Sequence, residues 1–171
     1  PKLEQVIRME GSGGGAISMD ELIESGSARS DSEWEQRWRS VTPDDICIAN
    51  QLGAINQLNN GVTTMIDWHH NNPTPDHSDA AIDGLKDAGI RAVFLHGSAK
   101  PDPKPGQRHF SEIPMSASEV ERLRKGRLSD DDALVTMGMA ILGPQMSIED
   151  VVLKDLKLAK DGKTMFVGLG Q

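Results

Sequence analysis

The sequence predicts an α/β fold in which helices alternate with the strands of a parallel sheet, and three observations predict it. Four stretches, 62–67 (VTTMID), 90–97 (IRAVFLHG), 134–142 (LVTMGMAIL) and 164–170 (TMFVGLG), are short apolar or β-branched runs of the kind buried on both faces of a parallel sheet. Each follows a stretch with helical spacing and recognisable start and stop residues. The resulting helix-then-strand order, repeated four times, is the pattern that crossover connections produce. Periodicity is equally compatible with an open sheet and with a curved section of a barrel.

The first helix is announced by Thr42 as N-cap, Pro43 in the first helical position, and Asp44 and Asp45 at the positive end of the helix dipole. Its apolar residues Ile46, Ala49, Leu52 and Ile55 recur at helical spacing, and Asn60-Gly61 stops it. The next helix repeats the device, with Thr74 as N-cap, Pro75 behind it, an apolar stripe of Ala81, Leu85 and Ala88, and Gly89 as C-cap. Residues 98–116 form a Pro-rich connection too long for a plain loop between helix and strand, and such connections often serve as lids or binding loops. Ser116 with Glu119 makes a capping-box pattern at the head of a basic helix, 117–127. Ser129 to Asp132 caps a short turn into the third strand, which ends at Gly143-Pro144. The last helix is expected to run from Ser147 as N-cap to Gly162 as stop.

Residues 1–40 differ in texture from 41–171 and read as an N-terminal arm on one α/β domain. The stretch MEGSGGGAIS is flexible Gly/Ser sequence, and short helices are expected at Met19 to Glu24 and around Ser32 to Trp38. Trp34 and Trp38 are four apart and would share a helix face, which suits anchoring an arm better than binding an aromatic ligand.

At 171 residues the chain is long enough to bury one sizeable core. Its formal charge of −8 argues against nucleic acid or an anionic membrane as main partner, because either needs a basic face. A small-molecule substrate remains. Cys47 is the one cysteine, which excludes an intrachain disulfide and a zinc site of several thiolates. No apolar run approaches the roughly 20 residues that cross a bilayer, and the N-terminus lacks a secretory pattern. A soluble, cytoplasmic protein is expected, and the start at Pro1 suggests processing or trimming.

Ligands of parallel α/β folds bind beyond the carboxyl ends of the strands. That rule selects Asp67, Trp68, His69 and His70 after the first strand, His96 after the second, Gln145 after the third, and Gly168 and Gln171 after the fourth. Imidazole exchanges protons near neutral pH, so His70 and His96 are the candidate general acid and base, with Asp67 as a possible orienting partner. His69 and His70 would point to opposite sides of an extended chain, and His70 is the one favoured to reach a ligand. Trp68, His69, Asn71 and Gln145 are the candidate substrate contacts. His77 reads as structural and His109 as a solvated loop residue. The cluster Arg122, Arg124, Lys125 and Arg127 reads as a solvated helix face. Gly11 to Gly15 is not a phosphate loop, and no Gly-x-Ser-x-Gly elbow is present.

Residues 43–97, PDDICIANQLGAINQLNNGVTTMIDWHHNNPTPDHSDAAIDGLKDAGIRAVFLHG, together with the later Gly143-Pro144, resemble the amidohydrolase superfamily, especially its cytosine-deaminase and triazine-hydrolase-like branch. The resemblance implies a (β/α)8 TIM-type barrel, of which 41–171 would supply about strands two to five, and a zinc or iron ion that activates water against C–N or C–Cl bonds of heterocycles. Its ligand motifs do not carry over: no His-x-His occurs, and Phe166 stands where the fifth strand would place a ligand histidine. The expectation is therefore no metal cofactor in this chain, with zinc or iron only at a replacement or complemented site. Three readings follow: a metal-independent enzyme using rim histidines, a fragment or subunit of a metal-dependent hydrolase, and a non-catalytic binding or assembly module. A partial barrel leaves sheet edges bare, so a homo-oligomer, the arm or missing sequence is expected to cover them.

Overall fold

The computed structural model describes residues 6–8, 16–18, 24, 30, 33, 41–98 and 103–168. Two compact units divide at Val41, the first Pro1–Val41 and the second Thr42–Gln171. In the first, β1 (Val6–Arg8) and β2 (Ala16–Ser18) pair in parallel. Ala16 to Ser18 was expected to be flexible sequence; the β-branched Ile7 and Ile17, paired in register, explain the strand there. The two short helices expected in this arm fall mostly outside the described residues, and so do Trp34 and Trp38.

The second unit runs α1 (Pro43–Asn59), β3 (Thr64–His69), α2 (Pro75–Ala88), β4 (Arg91–Gly97), α3 (Ala117–Lys125), β5 (Val135–Ile141), α4 (Glu149–Asp161) and β6 (Met165–Gly168). Its four strands are parallel and lie in chain order, β3-β4-β5-β6. A doubly wound sheet reverses direction partway; this one does not. With right-handed crossovers, one-way progression places every helix on the same face. This is the arrangement of a section of a barrel, with helices outside and the other sheet face turned inward.

The caps mostly follow the sequence. Thr42 and Asp45 form a reciprocal capping box on α1, and Gly89 ends α2 in the left-handed conformation at φ 73°. Three expectations are corrected. On α1 Ile46 and Ala54 are buried and Asn50 is half-buried, while Ala49, Leu52 and Ile55 of the expected stripe are exposed, because α2 packs against the Ile46–Asn50–Ala54 side of the helix. That packing is close: a Cβ on Gly84 of α2 would sit 2.4 Å from the Cys47 carbonyl oxygen. Ser147 does not cap α4; Ile148 holds that position, and the Ser147 hydroxyl donates to the Ser111 carbonyl. Glu119 does not complete a capping box, since its carboxylate is held by Arg122.

The basic face of α3 is likewise not simply solvated. Arg122 pairs with Glu119 and Asp79, Arg127 with Asp79 and Asp83, and Arg124 reaches Asp131 and the carbonyls of Leu128 and Gly162. Sequence shows the charges on α3 but not the acidic row of α2 that the fold sets opposite them. The long connection is also pinned: the Ser111 carbonyl accepts from Ile148 N–H, and Met115 N–H donates to the buried Asp155 at 2.9 Å.

Side chains alternate across each strand, so the hydrogen bond from Asn50 Nδ2 to Asp67 Oδ2 (2.9 Å) identifies the helix side. Register then puts Asp67, His69, Phe94, His96, Met137 and Met139 on that side, and Ile66, Trp68, Val93, Leu95, Thr136 and Gly138 on the inner one. Ile66 is 55% exposed on the inner face.

Candidate functional site

The carboxyl ends of β3 and β4 come together as adjacent, in-register strands, and His69 pairs with His96. β3 extends to His69, two residues beyond the sequence expectation, so His69 is fixed by the ladder. Both rings point to the helix side and are 5% exposed. His69 lies against Phe94 with ring centroids 5.2 Å apart, and its Nε2 is buried with no hydrogen-bond partner. Burial pulls His69 down to about 4, with His96 and His70 adding repulsion. Burial likewise pulls His96 down to about 4, against the opposing pull of Glu119. Both rings are therefore neutral near pH 7. Burial pushes Asp67 up to about 6, moderated by Asn50. With His69 neutral, the 3.9 Å approach of Asp67 to its Nδ1 is no ion pair.

A cavity of about 380 Å³ opens beside His96. Its floor is the end of β4 (His96, Gly97 and Ser98); its walls are the β3–α2 connection (Asn72 to Pro75), Ile113 and Pro114 of the long connection, and the first turn of α3 (Ser116, Ser118 and Glu119). Three prolines and an isoleucine give flat apolar walls; the hydroxyls, Asn72 and His96 give the polar points. Gly97 is required here, because a Cβ would lie 2.9 Å from the His69 carbonyl oxygen and 3.2 Å from His70 Cβ.

Of the candidate catalytic and substrate-contact residues chosen from the sequence, only His96 lines this cavity, alongside Ser98, Ile113, Pro114 and Ser116 of the connection expected to serve as a lid or binding loop. His69 and Asp67 lie on the same sheet face, Asp67 tied to Asn50. Trp68 lies on the inner face, half-buried, and His70 is exposed just past the strand. Asn71 is half-buried outside the cavity, and Gln145 is exposed beyond the turn after β5. Gln171 is outside the described residues. His77 is buried, with Nδ1 2.7 Å from the Thr74 hydroxyl, and His109 is exposed, accepting from Ser111 N–H. Sequence reasoning missed Asn72, Ser116, Ser118 and Glu119. The signal was the paired N-cap residues Thr74 and Ser116, whose helices begin at one place on the sheet.

No protein-family model and no curated protein matches this sequence. Solved structures do. A triazine hydrolase variant matches with a TM-score of 0.60 at 19% identity, over 88% of this chain and 34% of its own. An atrazine chlorohydrolase from Arthrobacter aurescens TC1, complexed with zinc, matches with a TM-score of 0.57 at 18% identity over the same shares. The fold is that of a section of a TIM-type barrel. The chain spans about a third of the length of these hydrolases.

The described residues do not fit a catalytic metal of the kind the resemblance implies. Among them no three His, Cys, Asp or Glu side chains are grouped to hold an ion, whereas such a centre takes about three protein ligands. His69 has a free Nε2, but the neighbouring Asp67 carboxylate is committed to Asn50. Phe166, 50% exposed, pairs with Met139 and so belongs to the helix side of the sheet. Among the described residues no helix is long and apolar enough to cross a membrane.

Proposed function

We propose that this chain is a section of an amidohydrolase-related enzyme acting on a small organic molecule, and that the cavity at His96 binds that molecule. The observation that carries the reading is a nearly buried histidine lining a cavity at the carboxyl end of a barrel-type parallel sheet. Nitrogen heterocycles are the first compounds to test, because the solved structures of similar fold are named for hydrolysis of triazines and atrazine. His96 in this reading contacts substrate as a neutral hydrogen-bonding group. A ring held near pKa 4 is a weak proton shuttle at neutral pH, where acid–base catalysts work best with a pKa near the ambient pH.

A second reading concerns completeness. Ile66 on the inner sheet face and Leu52 and Ile55 on α1 are large exposed apolar side chains, and β3 and β6 are the outer strands of the four-stranded sheet. These favour a working unit in which a second copy or a complementing polypeptide closes the barrel. The test is light scattering on the purified chain, with assays of aminated and chlorinated heterocycles before and after metal addition, repeated with His96→Ala. An oligomer that binds or turns over a heterocycle, and loses this in His96→Ala, supports both readings. A monomer sinks the second, and binding that survives His96→Ala with the fold intact sinks the first.

A further inference from the structure

Asn72 stands between His96 and the end of β4. Its Nδ2 lies 2.7 Å from the Gly97 carbonyl oxygen and 3.0 Å from His96 Nδ1. A carbonyl can only accept, so the contact with Gly97 fixes which end of the amide faces this way. The amide then has one hydrogen for Gly97 and one for His96. An imidazole nitrogen that receives a hydrogen carries none of its own, so Nδ1 is the bare nitrogen and the ring proton is on Nε2.

We propose that Asn72 is a positioning residue that locks His96 as the Nε2–H tautomer, making the cavity a hydrogen-bond-donor site that takes its ligand through a carbonyl or similar acceptor atom. The surroundings agree. Ser98, Ser116 and Ser118 line the same cavity; the Ser116 and Ser118 hydroxyls share one hydrogen bond at 3.1 Å, which leaves one proton of that pair, with the Ser98 hydroxyl, to donate to an acceptor. The one carboxylate in the wall, Glu119, would attract a donor or cation, but Arg122 engages both of its oxygens at 2.7 and 2.8 Å. Burial keeps the His96 ring uncharged near neutral pH, so the lock acts on a tautomer and not on an ion. A neutral imidazole donor aimed at a carbonyl oxygen polarises it without giving up its proton, a role different from the general base expected from sequence.

The ligand half of this inference rests on the proposed binding role of the cavity; the tautomer half does not. The test is long-range proton–nitrogen NMR on the uniformly labelled full chain near neutral pH, which distinguishes protonated from bare ring nitrogens. For His96 we expect a protonated Nε2 and a bare Nδ1. Asn72→Asp replaces the donor by an acceptor and should move the proton to Nδ1; Asn72→Ala, should the aspartate variant not fold, should leave a mixture. A protonated Nδ1 in the parent chain, or a tautomer that ignores both substitutions, overturns the lock. Dimethylacetamide, an acceptor without an N–H, should then shift the Nε2 signal, and methylammonium, a donor without an acceptor, should not. The reverse preference overturns the ligand class. If the tautomer is as expected and neither probe reaches His96, the binding role of the cavity fails and takes the ligand class with it, while the lock stands.

Discussion

Acidification should destabilise this protein through the two paired histidines at the ends of β3 and β4. A group whose folded pKa lies below its unfolded value gives stability that is complete above the unfolded pKa and lost as pH falls toward the folded one. His69 and His96 both drop from 6.5 to about 4. At about pH 5 each has therefore lost about 2 kcal/mol, at roughly 1.36 kcal/mol per pH unit below 6.5. Asp67 works in the opposite direction: raised from 3.8 to about 6, it gives stability that is present at low pH and lost as pH rises through 6. It returns about 1.4 kcal/mol at pH 5, leaving a net loss of about 2–3 kcal/mol. With a urea slope of about 1–3 kcal/mol per molar, the unfolding midpoint should fall by about 1–3 M between pH 7.5 and 5. The double variant His69→Gln/His96→Gln should reverse the trend, because the raised Asp67 carboxyl then works without the opposing pull of the two buried rings. A parent midpoint that stays level or rises on acidification would refute the reasoning, and a double variant that keeps the parent's slope would assign it to other groups.

Three further outcomes are expected. Gly84→Ala forces a Cβ to within 2.4 Å of the Cys47 carbonyl oxygen, so α1 and α2 must separate, and thermal melting should show a loss of about 1–3 kcal/mol despite the better helix propensity of alanine. Asp155→Ala strands the Met115 N–H and should cost about 1–3 kcal/mol. Asp155→Asn keeps the acceptor while removing a buried charge whose pKa burial raises, so its urea midpoint at neutral pH should equal or exceed the parent's. Lys163 is a non-glycine residue at φ 50°, and Lys163→Gly should raise stability by about 1 kcal/mol by relieving the left-handed backbone; a lower melting temperature would count against that account.

Much of the fold was legible because local rules and tertiary structure agree where caps and periodicity are strong. Thr42 with Asp45, Pro75, Gly89 and Ser116 mark helix ends that the structure keeps within a residue or two. The apolar runs became β4 and β5 almost to the residue. Agreement fails where a side chain's partner is distant in sequence. Of the stripe read on α1 only Ile46 is buried and Ala49, Leu52 and Ile55 are exposed, since weak amphipathicity left the choice to α2 and its Gly84 contact. Ser147 was the natural cap for α4, yet Ser111, 36 residues earlier, took its hydroxyl.

The candidate site divides along the same line. Sequence placed histidines at the carboxyl ends of β3 and β4, because strand ends and residue types are local properties. It favoured His70 over His69, and that choice depends on where the strand stops. β3 continues through His69, whose ring is thereby turned to the helix side and buried, while His70 is left outside the ladder. Asn72 carried no signal of its own: an asparagine before a proline reads as a turn, and only the fold sets its amide between Gly97 and His96. By itself the sequence determined the order of helices and strands, the acidic charge and that Cys47 has no second cysteine in this sequence to pair with. Register, the facing of each histidine, the pairing of Arg122 and Arg127 with α2's carboxylates and the cavity were decided by tertiary structure. These depend on contacts between residues some 20 to 45 apart, and no short window of sequence contains both partners.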